Sequence, residues 1–512
     1  MFRFLMPKES LDESEVEGGL RSLVYDAMFA QAQMVLTTGA FLIGFALAMG
    51  ASKSVIGILA GLGPLALVMQ VPAVYLVQKV RRRKLILVLS TTVSRLMWFV
   101  IPAIPFLLAP HLRLPVFLGA LFVHYSLGNV GGCAFNAWIR DLIPEHRLSG
   151  FFARRMALAT ATGAGLSLLA GFGVDYWKLN LSHLPGGILG GYGAVFILAA
   201  CCGMLSVYYL IRTPEPVMPP GEDEGFFHAI RQPLRDRNFR KLLAFLGSWN
   251  FALNFATPFF AVYLLERLDL SMSWVIGLGV FSQLVNVAFF RFWGSMADRF
   301  NNRAVLMVTV PLFMFSFLIW PFTTMPEVYV LTIPLLVGIH VLSGIATAGV
   351  NLCAGNLALK LAPYGKGGAY LAVNALVSGL AATVSPVMAG FSADWFETKQ
   401  MTLTLRLAST VSEGGAFEMP AMDIRGLDFL FLIAFALGLY CMHRLTSVRE
   451  KGEVKEAEVR RALIDEMGRA VRQVSTVAGV RQIFMAPFSL FRGKAKANGV
   501  QPPAPEGSAE TS

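Results

Sequence analysis

Apolar residues in this chain come in long runs broken by short clusters of charge, and the pattern holds through about the first 445 of its 512 residues. A hydrocarbon core about 30 Å thick takes about 20 helical residues to cross. Runs such as 85–109 and 329–353 have that length and carry almost no charge. The pattern predicts twelve membrane-crossing helices at 24–49, 55–78, 85–109, 115–138, 156–175, 191–211, 242–265, 272–296, 304–324, 328–352, 368–393 and 427–445. The predicted class is an all-α membrane protein, with twelve transmembrane helices in two six-helix halves.

Composition supports this reading. Hydrophobic residues make up 55% of the chain and charged residues only 15%, where soluble domains carry about 25% charged residues. The formal net charge is +11. Its Lys and Arg gather at helix ends and in the tail, which argues for membrane topology and against a nucleic-acid partner. Of the 43 Lys and Arg, seven fall on one face: Lys53, Arg113, Lys178, Arg267, Lys399, Arg406 and Arg425. Arg95 and Arg291 lie within helices, and the other 34 share the face that carries both ends. Both termini of this multi-pass chain are therefore expected in the cytoplasm. The start lacks a signal peptide's order, so the first apolar segment is expected to stay as an anchor. Cys133, Cys201, Cys202, Cys353 and Cys441 sit inside apolar runs without metal-ligand spacing and read as packing residues.

The chain repeats itself. Ser54 to Gly57 resembles Trp274 to Gly277, with Gly57 and Gly277 standing 220 residues apart. Cys133, Ala134 and Asn136 match Cys353, Ala354 and Asn356 at the same offset. Ala170-Gly171-Phe172 with Asp175 matches Ala389-Gly390-Phe391 with Asp394 at 219. Three matches at offsets of 219 to 220 imply duplicated halves, with the site at their interface. The organisation read from this is a cytoplasmic segment 1–23, a six-helix half 24–211, a cytoplasmic loop 212–241, a second half 242–445 and a cytoplasmic tail 446–512. The central loop suggests an interfacial segment around Phe226, Phe227 and Ile230, followed by Arg231, Arg235 and Arg237. In the tail, Val459, Leu463, Met467, Ala470, Val471 and Val474 recur at helical spacing, which predicts an amphipathic helix followed by a disordered end.

Gly294, Asp298, Arg299 and Arg303 stand in the pattern Gly-x-x-x-Asp-Arg-x-x-x-Arg, between the eighth and ninth predicted helices. This resembles the signature of the major facilitator superfamily, and the likeness covers about residues 20–445. The first-half copy, 220 residues earlier, keeps Lys79 and Arg83 but has Val74 for Gly and Gln78 for Asp. The resemblance implies a twelve-helix transporter in which Asp298 latches the inner gate; the bare reading is a turn of solvated charges obeying the positive-inside rule. Loop four–five, from Asn136 through Arg140, Asp141 and Pro144 to Arg155, resembles that of a set of bacterial facilitator proteins. The helix-five signature of the family's antiporters is not met, because Gly163, Gly165, Gly171 and Gly173 come without its Pro.

Ionisable side chains at membrane depth are candidates for function. They are Asp26, Arg95, His124 and His340, the candidates for ion coupling. Polar neighbours are Gln31, Gln33 and Thr37, then Asn129, Asn250 and Asn254, then Gln283 and Asn286. The resemblance implies a cavity lined by helices one, four, seven and ten. That makes Gln33, Thr37, His124, Asn129, Asn250, Asn254 and His340 its candidate lining. Taken singly, an Asn or Gln is expected to bind helix to helix; taken together, they suggest a polar cavity. The two imidazoles are expected to face that cavity, or else to bond a neighbouring helix and stay neutral.

There is no phosphate-binding Gly-rich loop, so direct ATP drive is not expected. No paired carboxylates, metal cluster or nucleophile elbow points to an enzyme, and no cofactor is expected. The reading is a monomeric secondary transporter of a small molecule in a bacterial inner membrane, working by alternating access, with proton coupling left open. Its rival is a protein of the same fold that assembles or senses a partner without transport.

Overall fold

The computed structural model describes residues 6–143, 148–218, 226–324, 327–363, 367–407 and 417–450. The predicted tail helix at 459–474 lies outside them, as do 144–147 of loop four–five. Within them run twelve long helices, called spans one to twelve: Glu13–Ala48, Lys53–Val80, Arg83–Leu107, Pro110–Leu142, Leu148–Asn180, Ile188–Arg212, Arg237–Val262, Met272–Phe300, Asn302–Thr323, Thr332–Leu361, Gly367–Phe396 and Leu427–Thr446. Eleven are long and apolar enough to cross a bilayer. The remaining one, span seven, is 26 residues long. Its apolar run is diluted by Ser248, Asn250 and Asn254, as a helix facing water or polar partners on one side would be.

Each predicted span overlaps an observed one, and the helices extend beyond the apolar stretches. Span one starts at Glu13 rather than 24, because Asp12 and Glu15 form a reciprocal capping box. Asp12 Oδ1 accepts the Glu15 N–H at 2.7 Å, and this bond holds the Asp12 carboxyl below its usual range. Span one is also interrupted. Thr38 is extended and Gly39 has φ +59°, which divides the helix into Glu13–Thr37 and Gly39–Ala48. The Thr37 and Thr38 hydroxyls donate to the Gln33 and Met34 carbonyls at 2.8 and 2.7 Å, satisfying acceptors that the break would leave bare.

Two elements were not anticipated. Gln400–Leu407 (β1) and Phe417–Arg425 (β2) pair antiparallel between spans eleven and twelve. Span seven closes in a π-turn, Tyr263–Arg267. In the central loop, where an interfacial segment was expected, Phe226–Arg235 is helical.

The face carrying residue 13 and the exit of span twelve holds most of the Lys and Arg and is named the basic face; the other is the opposite face.

Candidate functional site

The two halves meet along two seams: span two packs on span eleven, and span five on span eight. Both are built from the repeated residues. A Cβ at Gly57 would strike the Pro386 carbonyl, and one at Gly61 would lie 2.8 Å from the Thr383 carbonyl. A Cβ at Gly390 would be 2.6 Å from the Lys53 carbonyl, and one at Gly171 3.2 Å from the Ser273 Cα. Glycine is what lets these backbones approach so closely.

At the opposite face each seam ends in a carboxylate that caps a helix of the other half. Asp175, near the end of span five, accepts the Met272 and Ser273 N–H groups at 2.7 and 2.8 Å. Asp394, near the end of span eleven, accepts those of Lys53 and Ser54 at 2.9 and 3.0 Å. Each negative charge sits on the positive end of a helix dipole and satisfies two orphan donors. Lys53 also pairs with Glu266 of the span-seven π-turn, a third link between halves.

Toward the basic face the seams part. Eighteen residues make five turns of helix, so residues that far apart share one side. Gly171 touches the other half, but Ala153 on its side is exposed. Ser273 is capped from the other half, but Arg291 on its side is exposed. Gly390 is wedged against Lys53, but Ala372 is exposed. On span two, Tyr75 is 66% exposed beyond the 3-10 turn Leu67–Met69. The molecule is sealed on the opposite face and open between the halves on the basic one.

The predicted coupling residues divide. Asp26 is 3% exposed and Arg95 8% exposed, both inside the first half. Asp26 accepts the Ser206 hydroxyl and pairs with Arg155 at 3.4 Å. Arg95 donates to the Gly203 carbonyl at 2.7 Å and interacts electrostatically with Asp26. Gln33 lies against the same wall: a Cβ at Gly203 would lie 2.7 Å from its Oε1, and its buried Nε2 has no hydrogen-bond partner among the described residues. Spans one, three, five and six thus enclose a polar cluster. Ser206 and Arg155 were not singled out from sequence.

Both ring nitrogens of His124 are engaged by span three. The Trp98 indole N–H donates to Nε2 at 3.2 Å, so Nδ1 carries the proton, 2.9 Å from the Ser94 carbonyl. His340 Nδ1 lies 2.8 Å from the Leu336 carbonyl of its own helix, and its ring meets Trp320 edge-on at 6.1 Å. Trp98 and Trp320 stand 222 residues apart, so each half brings a Trp ring edge-on to its histidine, but only Trp98 donates a hydrogen bond to it. The helix-to-helix reading fits His124, whose ring points into its own half.

The amide candidates mostly serve their own helices. Asn250 and Asn254 donate to the Leu246 and Asn250 carbonyls, each at 2.8 Å. Asn129 donates to Tyr125 and accepts from Gln70 of span two at 3.2 Å. Asn286 reaches the Gly344 carbonyl at 3.4 Å. Gln31 packs where Gly163 makes room for it, and Gln283 is exposed. Thr37 is buried at the helix break.

In the motif, Gly294 faces Leu352 of span ten, and Arg299 lies over the Phe300 ring. Arg303 binds the Thr446 carbonyl at 3.1 Å, and its backbone N–H donates to Glu450 at 2.8 Å. Lys360 joins Glu450 at 3.3 Å. The first half repeats this: Glu215 accepts the Arg83 N–H at 2.7 Å, and the Arg83 guanidinium pairs with Asp141 and Glu215. Burial pushes the Glu215 carboxyl up, against the pull of the Arg83 and Lys84 N–H groups. Both arginines therefore tie the third helix of a half to the exit of its sixth. Glu215 and Glu450 escaped notice in the sequence; their signal was an acid at each sixth-helix exit, among basic residues. Asp298 stays exposed on the basic face.

A profile of the Major Facilitator Superfamily matches residues 27–386. No curated protein sequence matches the chain. Among solved structures, the nucleoside transporter NupG superposes with TM-score 0.62 at 11% identity, over 85% of this chain and 98% of that one. A bacterial homologue of the human lysosomal transporter Spinster, inward-facing and occupied, gives 0.60 at 13%, over 86% and 100%. A POT family transporter in complex with 5-aminolevulinic acid gives 0.58 at 13%, over 87% and 99%. At these identities the likeness is one of fold.

Proposed function

This chain belongs to the major facilitator superfamily, and we propose that it carries a small molecule by alternating access, as a monomer, with its basic face in the cytoplasm of a bacterial inner membrane. The chain is a secondary transporter by family. What supports this particular cycle is that one side of each of spans five, eight and eleven is locked to the other half at one end and exposed at the other. A rigid-body rocking of the halves about such seams exposes a central site to each side in turn. The orientation rests on the excess of Lys and Arg on the basic face. Single cysteines at Ser182 and Ser149, in a cysteine-free background, test it. Impermeant reagent added outside intact cells should label position 182 and spare 149; the reverse pattern inverts the topology.

For the coupling step the cluster around Asp26 is the better placed of the candidates. A proton on Asp26 removes the charge that holds Arg155 of span five and leaves Arg95 without its countercharge. Span five is a seam helix, so the change reaches the interface through one side chain. A proton on His124 would instead break the Trp98 bond inside one half. Spin labels across the halves should report a population that shifts with pH in the wild type and is flat in Asp26→Asn. An unaltered pH response in that variant rules Asp26 out as the proton site.

A further inference from the structure

We propose that Arg291 binds the anionic group, a carboxylate or a phosphate, of a small molecule entering from the basic face. This rests on the transporter reading above and assigns its substrate class. Arg291 lies in span eight, nine residues before the end of the helix at Phe300, or roughly 13 Å along the axis. The apolar stretch of this helix ends near residue 296, so Arg291 lies about five residues, or roughly 7 Å, inside the membrane-spanning part.

The direction of its side chain follows from its neighbours. Trp293 donates its indole N–H to the Ile345 carbonyl at 2.8 Å, and Asn286 reaches the Gly344 carbonyl. Those residues fix one side of span eight against span ten. Arg291 lies about 160° from Trp293 around the helix, five turns from Ser273. Ser273 faces the other half, since a Cβ at Gly171 of span five would lie 3.2 Å from its Cα. Arg291 thus lies on the side that faces the first half, at the level where the halves have parted.

Among the described residues nothing there neutralises it. Among the described residues Arg291 has no hydrogen-bond or ion-pair partner, and it is exposed. The side of span five that faces it carries Ala153, Ala157 and Thr160, with no acid. Asp298, on the same side of span eight, lies two turns farther toward the basic face. The other charges at membrane depth are matched: Asp26 holds Arg155, and Arg95 has a carbonyl and the Asp26 field. An uncompensated arginine at such depth is tolerated where it meets water and serves a passing solute. A guanidinium presents a planar fork of donors that fits carboxylate and phosphate oxygens two at a time. The surrounding excess of Lys and Arg draws anions toward that opening. Lipid phosphate offers the same oxygens, but this side of the helix faces the other half and not the bilayer.

The test uses the full chain in nanodiscs of phosphatidylcholine, with and without phosphatidylglycerol. Thermal unfolding is followed while inorganic phosphate, acetate, succinate or glycerol phosphate is titrated, with ethylenediamine as the cationic control. At least one anion should raise the unfolding temperature saturably, and ethylenediamine should not. Arg291→Gln should weaken that response by about tenfold or more, as the loss of a charge-assisted pair implies. Arg291→Lys should keep part of it, and Arg113→Gln, on the opposite face, all of it. No saturable response to any of the four anions overturns the proposal, as does an equal response in Arg291→Gln. Stabilisation by phosphatidylglycerol alone, lost in Arg291→Gln, reassigns the guanidinium to lipid and also overturns it. Spin-label distances in Arg291→Gln separate the two readings: if the halves still alternate, the transporter reading stands whatever becomes of the anion.

Discussion

Replacing both opposite-face carboxylates, Asp175→Ala with Asp394→Ala, should open that face. Each carboxylate accepts two backbone N–H groups of a helix in the other half, so both are cap and cross-link. A cap of this kind contributes about 1 kcal/mol, and a charge on a helix dipole adds to it. Two caps together stabilise the sealed face by about 2 kcal/mol or more, which is about thirtyfold in the population ratio. The single variants should each give about half that free energy, since the caps lie on separate seams. Asp→Asn at both positions should fall between, keeping one acceptor and losing the charge. Spin labels at Ser182 and Lys399 report the opposite face, and labels at Lys79 and Leu359 the basic one. The first pair should move apart as the second closes. Unchanged distances on both faces in the double alanine variant would mean that the glycine contacts alone hold the seam.

How much of this was readable in the sequence varies with the force that shapes each part. The spans were legible because lipid allows a helix few alternatives and demands apolar length. Even span seven, thinned by its Asn and Ser, was visible between its charged ends. The hairpin was not seen, although Met401, Leu403, Leu405 and Leu407 alternate with polar residues at period two. A search tuned to long apolar runs passes over such a short period. Asp175 and Asp394 stood out as repeated letters. Their role did not, because each acts on the half it does not belong to. Likewise Asp26 and Arg95 were found by depth, while Ser206 and Arg155 were not. A hydroxyl near one helix end and an arginine in a basic loop look ordinary until folding brings them to the carboxylate. The histidines show the converse: symmetry pointed both rings toward the cavity, but rotation about the helix axis decides whether a ring meets cavity or neighbour, and His124 meets span three.

The degenerate copy of the family motif leads to the second large effect: Gln78→Asp should shift the population toward a closed basic face. On the opposite face, acids near the ends of spans five and eleven cap the starts of spans eight and two. The duplication exchanges these roles on the basic face. By that symmetry the ends of spans eight and two, carrying Asp298 and Gln78, should approach the starts of spans five and eleven when the halves close. Asp298 and Gln78 are both exposed in the structure, which is what an unlatched face requires. Asp298 can supply a charged cap on one seam; Gln78 brings an amide, with no charge to set against a helix dipole. Two charged latches on one face against one on the other favour the state observed here, sealed opposite and open basic. A carboxylate at 78 adds the missing latch. At about 1.4 kcal/mol it would move the ratio tenfold. Asp298→Asn acts in the other direction, but on a face already open, so its visible effect should be the smaller. Labels at Ala153 and Ser295 give the basic-face distance across the five–eight seam, clear of position 78. The expected result is a new short-distance population in Gln78→Asp that disappears again in Gln78→Asp with Asp298→Asn. If Gln78→Asp leaves the distribution of the wild type in place, the bias between faces has another source than the count of charged caps.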